Sequence, residues 1–164
     1  MHTFKFKAVL EVLRLCMGFI FLWAFLDKTF GLGFSTASDR AWIAGGSPTT
    51  GFLTNAVHGP FVEFYNSLAG VATIDWIFML GLLFVGTTLV SGILVKLGAF
   101  TGFIMLILMY GALGLPPETN PFVDSHLIYA LIMLLLGFGD SGKYFGFGRI
   151  WGTSKIVEKF GFLR

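Results

Sequence analysis

Four stretches of this chain are predominantly apolar, at residues 8–30, 74–95, 97–115 and 122–138. None alternates apolar with polar positions as a membrane barrel strand does. A helix satisfies its own backbone groups in lipid, so each stretch predicts a membrane-spanning helix. About 20 helical residues cross a hydrocarbon layer about 30 Å thick, and the fourth run is short but sufficient. Residues 31–73, between the first two runs, are too polar to span. They are also too rich in Trp42, Ile43, Phe52, Phe61, Phe64 and Tyr65 for a solvated linker. Leu53, Val57, Phe61, Phe64 and Leu68 recur at helical spacing, which predicts an amphipathic interfacial helix broken at Gly59-Pro60 and preceded by a turn at Gly45-Gly46-Ser47-Pro48. The pattern therefore predicts an all-α membrane protein: one domain over residues 1–164, a four-transmembrane-helix bundle with an amphipathic interfacial segment between helices 1 and 2.

The third connection, Pro116 to Pro121, is short and stiff. Asn120 is expected to cap the fourth helix, with Pro121 at its first position. After Gly139 the chain turns glycine-rich and basic, with Tyr144, Phe145, Phe147 and Trp151 interleaved, so 139–164 reads as an interfacial tail. Gly146-Phe147-Gly148 follows no strand, which excludes a dinucleotide fingerprint. Gly81, Gly86, Gly92, Gly98 and Gly102 suit close approach of the second and third helices, and Gly98 to Gly102 has GxxxG spacing.

Composition agrees with lipid as the solvent. Of 164 residues 55% are hydrophobic and 12% charged, against about 25% charged in an ordinary soluble domain. The net charge of +2 does not mark a nucleic-acid binder, because Lys5, Lys7, Lys96, Lys143, Arg149, Lys155, Lys159 and Arg164 all fall on one predicted membrane face and the tail. The positive-inside rule places that face in the cytoplasm, giving a multi-pass inner (plasma) membrane protein with both termini cytoplasmic. Lys28 and Arg40 are the basic residues left outside, beside Asp27, Asp39, Glu63, Asp75, Glu118 and Asp124. The first run follows Lys5 and Lys7 but is too long for a secretory signal core, and Gly31-Leu32-Gly33 is a poor cleavage pattern, so it is expected to be retained. Cys16 is the single cysteine, which excludes a disulfide or CxxC redox pair within the chain.

Ionisable residues inside a span cost a few kcal/mol and require a partner, water or a function. Arg14 lies about two turns into the first predicted span, with Glu11 three residues before it on the same face. It is either paired or snorkelling to set helix depth, or a ligand contact. Asp27 and Lys28 close the first helix, as hydrated end charges or as an anion or quinone-head site. Asp124-Ser125-His126 opens the fourth, where an acid suits the helix dipole. A histidine side chain can donate and accept protons, and His126 shares a face with Tyr129, which suits proton-coupled quinone chemistry or a packing hydrogen bond between helices. His58 precedes a turn and His2 the first run. One histidine in a span does not make a bis-histidine haem site, and no zinc spacing is present, so neither haem nor metal is expected.

The ordered landmarks resemble the DoxX/DoxD family: Leu13-Arg14-Leu15 with Gly18, Phe21-Leu22, Asp27-Lys28, Trp42 to Thr49, Gly59-Pro60-Phe61, Gly81-Leu82, Gly86, Gly92, Asn120-Pro121, Asp124-Ser125-His126-Leu127-Ile128-Tyr129-Ala130, and Gly142 to Gly146. The resemblance covers nearly the whole chain. It implies a four-helix membrane subunit similar to the DoxD-like part of thiosulfate:quinone oxidoreductase, which oxidises thiosulfate to tetrathionate and reduces quinone. A DoxA-like subunit and quinol oxidase complexes accompany that branch, and no DoxA-like segment is present here. The resulting expectation is a quinone-linked membrane redox subunit with quinone as electron acceptor. His126, Tyr129 and Asp124 are its catalytic candidates, and Arg14, Lys28 and Arg40 are its candidates for an anionic sulfur substrate. A non-catalytic scaffold or assembly subunit of a redox complex is the first alternative, and a small transporter or lipid-handling protein the second. Membrane lipid, the DoxA-like or oxidase partners and a second copy of the chain are the partners this reading allows.

Overall fold

The first apolar run folds into one helix, α1 (His2–Phe30), and Gly31 turns the chain at φ 65°. The computed structural model describes residues 2–114, 117, 121–139, 141–143 and 145–160. Two 3-10 turns (Ser38–Arg40 and Trp42–Ala44) and two short helices, α2 (Thr50–Asn55) and α3 (Val62–Ser67), lead to α4 (Ala72–Ser91) and α5 (Val95–Ala112). Next come α6 (Ser125–Phe138) and the tail helices α7 (Gly148–Gly152) and α8 (Lys155–Lys159). Among the described residues there is no strand.

Among the described residues three helices are long and apolar enough to cross a membrane: Lys5–Phe30, Ala72–Ser91 and Val95–Ala112. The second ends at Ser91 rather than at 95 because Gly92 (φ 79°) and Leu94 (φ 57°) both take left-handed backbone, which reverses the chain into α5. The third ends at Ala112 rather than 115, ahead of Gly114 at φ 88°. α6 has 14 residues, about 21 Å at 1.5 Å per residue, which is less than the hydrocarbon thickness. It begins at Ser125 with Asp124 as its cap, later than the 122 expected from the apolar run. Asn120, the expected cap, lies outside the described residues, as do Pro116, Glu118, Thr119, Tyr144 and Arg164.

The long helices pack in series, α1 on α4, α4 on α5 and α5 on α6, while α1 and α6 touch only lightly. Their shared core contains Met17 and Phe21 of α1, Met79, Val85 and Leu89 of α4, Ala99 and Leu106 of α5, and Met133 and Leu136 of α6. Large apolar side chains also line the outer faces, Phe19, Ile77, Leu80, Phe100, Leu108 and Leu131 among them. Water would not tolerate such continuous apolar cover, whereas lipid favours it.

The glycines serve more seams than the spacing suggested. A Cβ on Gly98 would strike the Thr88 side chain, and one on Gly81 would strike Met105, so these two do allow α4 and α5 to approach. Gly86 instead lies against the Leu22 backbone of α1, and Gly102 against Met133 of α6.

The interfacial stripe also divides. Leu53 and Val57 are buried with Ala112 at the end of α5, whereas Phe61 and Phe64 are exposed. The break at Gly59-Pro60 rotates α3 relative to α2, so five residues on one helical face become two sets. Tyr65 Oη donates to the Leu108 carbonyl at 3.0 Å and the His58 N–H to the Ala112 carbonyl at 3.1 Å, docking the segment on α5. Trp42 meets Trp76 edge-on at 4.6 Å.

Because the long helices alternate in direction, the packed helices have two chemically distinct ends. The start of α1, the α4–α5 turn, the end of α6 and the tail bring Lys5, Lys7, Lys96, Lys143 and Arg149 to one of them. The other holds Asp27, Lys28, Asp39, Arg40, Glu63, Asp75 and Asp124.

Candidate functional site

At the basic end Arg14 is completely buried, and Glu11 nearly so at 1% exposure. The i,i+3 spacing on α1 brings them together: Arg14 Nε and Nη2 both lie 2.9 Å from Glu11 Oε2. Arg14 Nη1 donates to the carbonyls of Leu89 and Val90, in the last turn of α4, where the helix leaves acceptors without internal donors. Nη2 reaches onward to the Phe145 carbonyl in the tail. Glu11 Oε1 accepts from the Gly142 N–H at 2.8 Å. One buried ion pair thereby joins α1, α4 and the 142–145 loop. The tail glycines make room for it: a Cβ on Gly148 would lie 2.3 Å from the Gly142 carbonyl oxygen, and one on Gly146 2.5 Å from that of Ser91.

The opposite end is built from separate carboxylates. Asp27, 1% exposed, accepts from the N–H of Phe34 (3.1 Å), the N–H of Ser35 (2.9 Å) and the Ser35 hydroxyl (2.7 Å), which folds the loop back over the end of α1. It is not the hydrated end charge that its position in the sequence suggested. Asp75, in the first turn of α4, accepts from the Ser47 hydroxyl (2.9 Å), the Thr49 hydroxyl (2.6 Å) and the Thr49 N–H (3.2 Å).

Asp124 caps α6 by accepting from the Leu127 N–H at 2.9 Å. Its second oxygen lies 2.7 Å from His126 Nδ1. Burial pushes its pKa up, but the Leu127 N–H and the adjacent His126 outweigh burial and hold the carboxyl below its usual value. The two side chains keep 17% and 23% of their surface open. Of the two neutral tautomers, a carboxylate on Nδ1 favours the one with its proton there, which leaves the lone pair on Nε2, the arrangement of a proton acceptor. Tyr129 lies one turn further on, partly buried against the shared core.

Neither a protein family, a curated protein nor a solved structure matches this chain.

The candidate residues fall into two groups. Asp124 and His126 adjoin one another at the start of α6, with Tyr129 on its next turn, and Lys28 and Arg40 belong to the same end of the molecule. Lys28 is half-buried and Arg40 is exposed in the first 3-10 turn. Arg14 belongs to the other end, with every nitrogen of its guanidinium engaged by the protein. Sequence reasoning missed what Asp75 does. The signal for it was Ser47 and Thr49, two hydroxyl residues flanking a proline in a turn, as acceptor-seeking partners.

Proposed function

We propose that the chain is a quinone-linked membrane redox subunit of the DoxX/DoxD type, with α6 completing a bundle of four crossing helices in the plasma membrane and the basic end in the cytoplasm. The observation that carries this reading is the 2.7 Å contact between His126 Nδ1 and Asp124, partly open beside Tyr129 where α6 begins. Quinone reduction takes up two electrons and two protons, and two thiosulfates surrender two electrons on joining into one tetrathionate. A histidine oriented by a carboxylate suits the proton transfers. Lys28 and Arg40 supply positive charge at the same end for an anionic sulfur substrate. The outward faces of α6, with Ile128, Leu131, Leu135 and Phe138 exposed, support its contact with lipid despite its length.

The test mixes the purified chain, with and without a DoxA-like partner, with thiosulfate and a soluble quinone analogue while quinone absorbance is followed. Reduction that falls in His126→Ala at unchanged folding supports the reading. Absence of reduction in both mixtures removes it.

A second reading, a scaffold for redox partners, draws on the exposed apolar cover at the acidic end: Phe34, Ile43, Phe61, Phe64 and Phe122. It predicts co-purification with a quinol oxidase complex that is lost on polar substitution of Phe61 and Phe64, with thiosulfate turnover absent.

A further inference from the structure

The α1–α6 seam is the least packed side of the molecule, and at the basic end it opens into a pocket of about 260 Å³. Lys7, Leu10 and Glu11 of α1 line one wall; Phe138, Ser141 and Lys143, from the end of α6 and the turn after it, line the other. The volume is below the roughly 300–1,000 Å³ of pockets that enclose a whole small ligand. It suits a headgroup. The walls are of two kinds. Leu10 and the 86% exposed Phe138 are apolar, and Val9, Leu131 and Leu135 are exposed along the same two helices.

The polar wall is cationic on balance. Glu11 is committed on both oxygens, to Arg14 and to the Gly142 N–H, and the Ser141 hydroxyl donates to the Leu136 carbonyl. Among the lining residues Lys7 and Lys143 outnumber the one acid, Glu11, whose charge is met by the buried Arg14. Lys5, Lys96 and Arg149 add to the field at that end. A cationic pocket above an apolar seam is complementary to an amphiphile with an anionic head.

We propose that this pocket holds the phosphate of an anionic phospholipid between Lys7 and Lys143, with its acyl chains lying along the α1–α6 seam. The lipid fills the seam that helix packing leaves open and ties the start of α1 to the end of α6. The occupant is independent of the quinone reading, which concerns the opposite end.

The test titrates the full-length protein in mild detergent with phosphatidylglycerol, phosphatidylcholine or inorganic phosphate, following bound lipid by native mass spectrometry and melting temperature. Phosphatidylglycerol is expected to bind and raise the melting temperature, phosphatidylcholine to bind weakly and inorganic phosphate not to compete. Lys7 is exposed, so Lys7→Gln tests the site with little risk to folding, and adding Lys143→Gln tests both contacts. At about 1 kcal/mol per surface lysine, each substitution weakens binding about fivefold. Lys155→Gln/Lys159→Gln in the tail is expected to bind as the parent does. Equal binding of the two lipids, competition by phosphate, an unchanged affinity in Lys7→Gln/Lys143→Gln, or an equal loss in the tail variant each overturns the proposal.

Discussion

The two ends of the packed helices solve the same problem, anchoring non-helical chain to helix ends, with opposite charges. At the basic end a cation does it: Arg14 takes the Leu89 and Val90 carbonyls that close α4. At the acidic end carboxylates do it: Asp75 sits in the first turn of that same helix and Asp124 caps α6. The helix dipole suits Arg14, Asp75 and Asp124, since a helix N-terminus offers N–H groups and partial positive charge and its C-terminus the reverse. Asp27, in the last turn of α1, is held instead by the N–H groups and hydroxyl of the following loop. The ends differ in connectivity too. The basic end depends on one ion pair that touches three elements, while the acidic end spreads its anchors over Asp27, Asp75 and Asp124.

That difference predicts a graded response to mutation. Arg14→Ala strands Glu11 without its charge partner and should cost about 3–5 kcal/mol, the largest loss in the molecule. Thermal melting in detergent reads it, and a variant as stable as the parent would dissolve the contrast between the ends. Glu11→Gln/Arg14→Met should cost less than Arg14→Ala alone, because no buried charge is left unpaired.

Gly148→Ala should follow, at about 1–3 kcal/mol, since the added methyl meets backbone on two sides. Its loss should add little to that of Arg14→Ala if both release the same tail, which a double-mutant cycle measures. At the acidic end Asp27→Ala and Asp75→Ala should each cost about 1–3 kcal/mol by leaving buried donors unsatisfied. Their effects should add, because the anchors are separate, and strong coupling between them would contradict that.

The smallest stability effects belong to the pair at α6. Asp124→Ala loses a cap, about 0.5–2 kcal/mol, and His126→Ala should stay near the low end of that range while changing quinone reduction. The lowered pKa of Asp124 gives its contribution a pH signature. It is fully present above the carboxyl's unfolded value, near 3.9, and is lost as pH falls through the lower folded value. Asp124→Asn should remove that slope from melting curves taken across the acid range; a slope identical to the parent's would assign it to other acids.

Much of the fold was legible along the chain. Continuous apolar runs located every long helix, because lipid exposure leaves no polar face to interrupt them. Helix ends were misread by a few residues where turns depend on left-handed backbone, as at Gly92 and at Leu94, a residue that ordinarily avoids it. Between α1 and α4 the sequence suggested a single apolar stripe, but Leu53 and Val57 are buried whereas Phe61 and Phe64, beyond Gly59-Pro60, are exposed.

Among the polar residues, the Glu11 and Arg14 pair could be read from local spacing, because i,i+3 neighbours share a helix face. Their remaining partners, Leu89, Gly142 and Phe145, lie far along the chain, and no local pattern points to them. The same holds for Asp75 and Ser47.

The amino-acid sequence by itself pointed to an all-helical chain, to four apolar runs of which three became helices able to cross a membrane, and to the separation of basic from acidic ends, since each follows from composition and period within a segment. Tertiary structure alone decided which carbonyl or N–H each buried charge would satisfy, which helix each glycine would admit, and that the α1–α6 seam would stay open. Those outcomes depend on groups distant in sequence meeting at hydrogen-bond range, where the cost of an unpaired buried charge selects the partner.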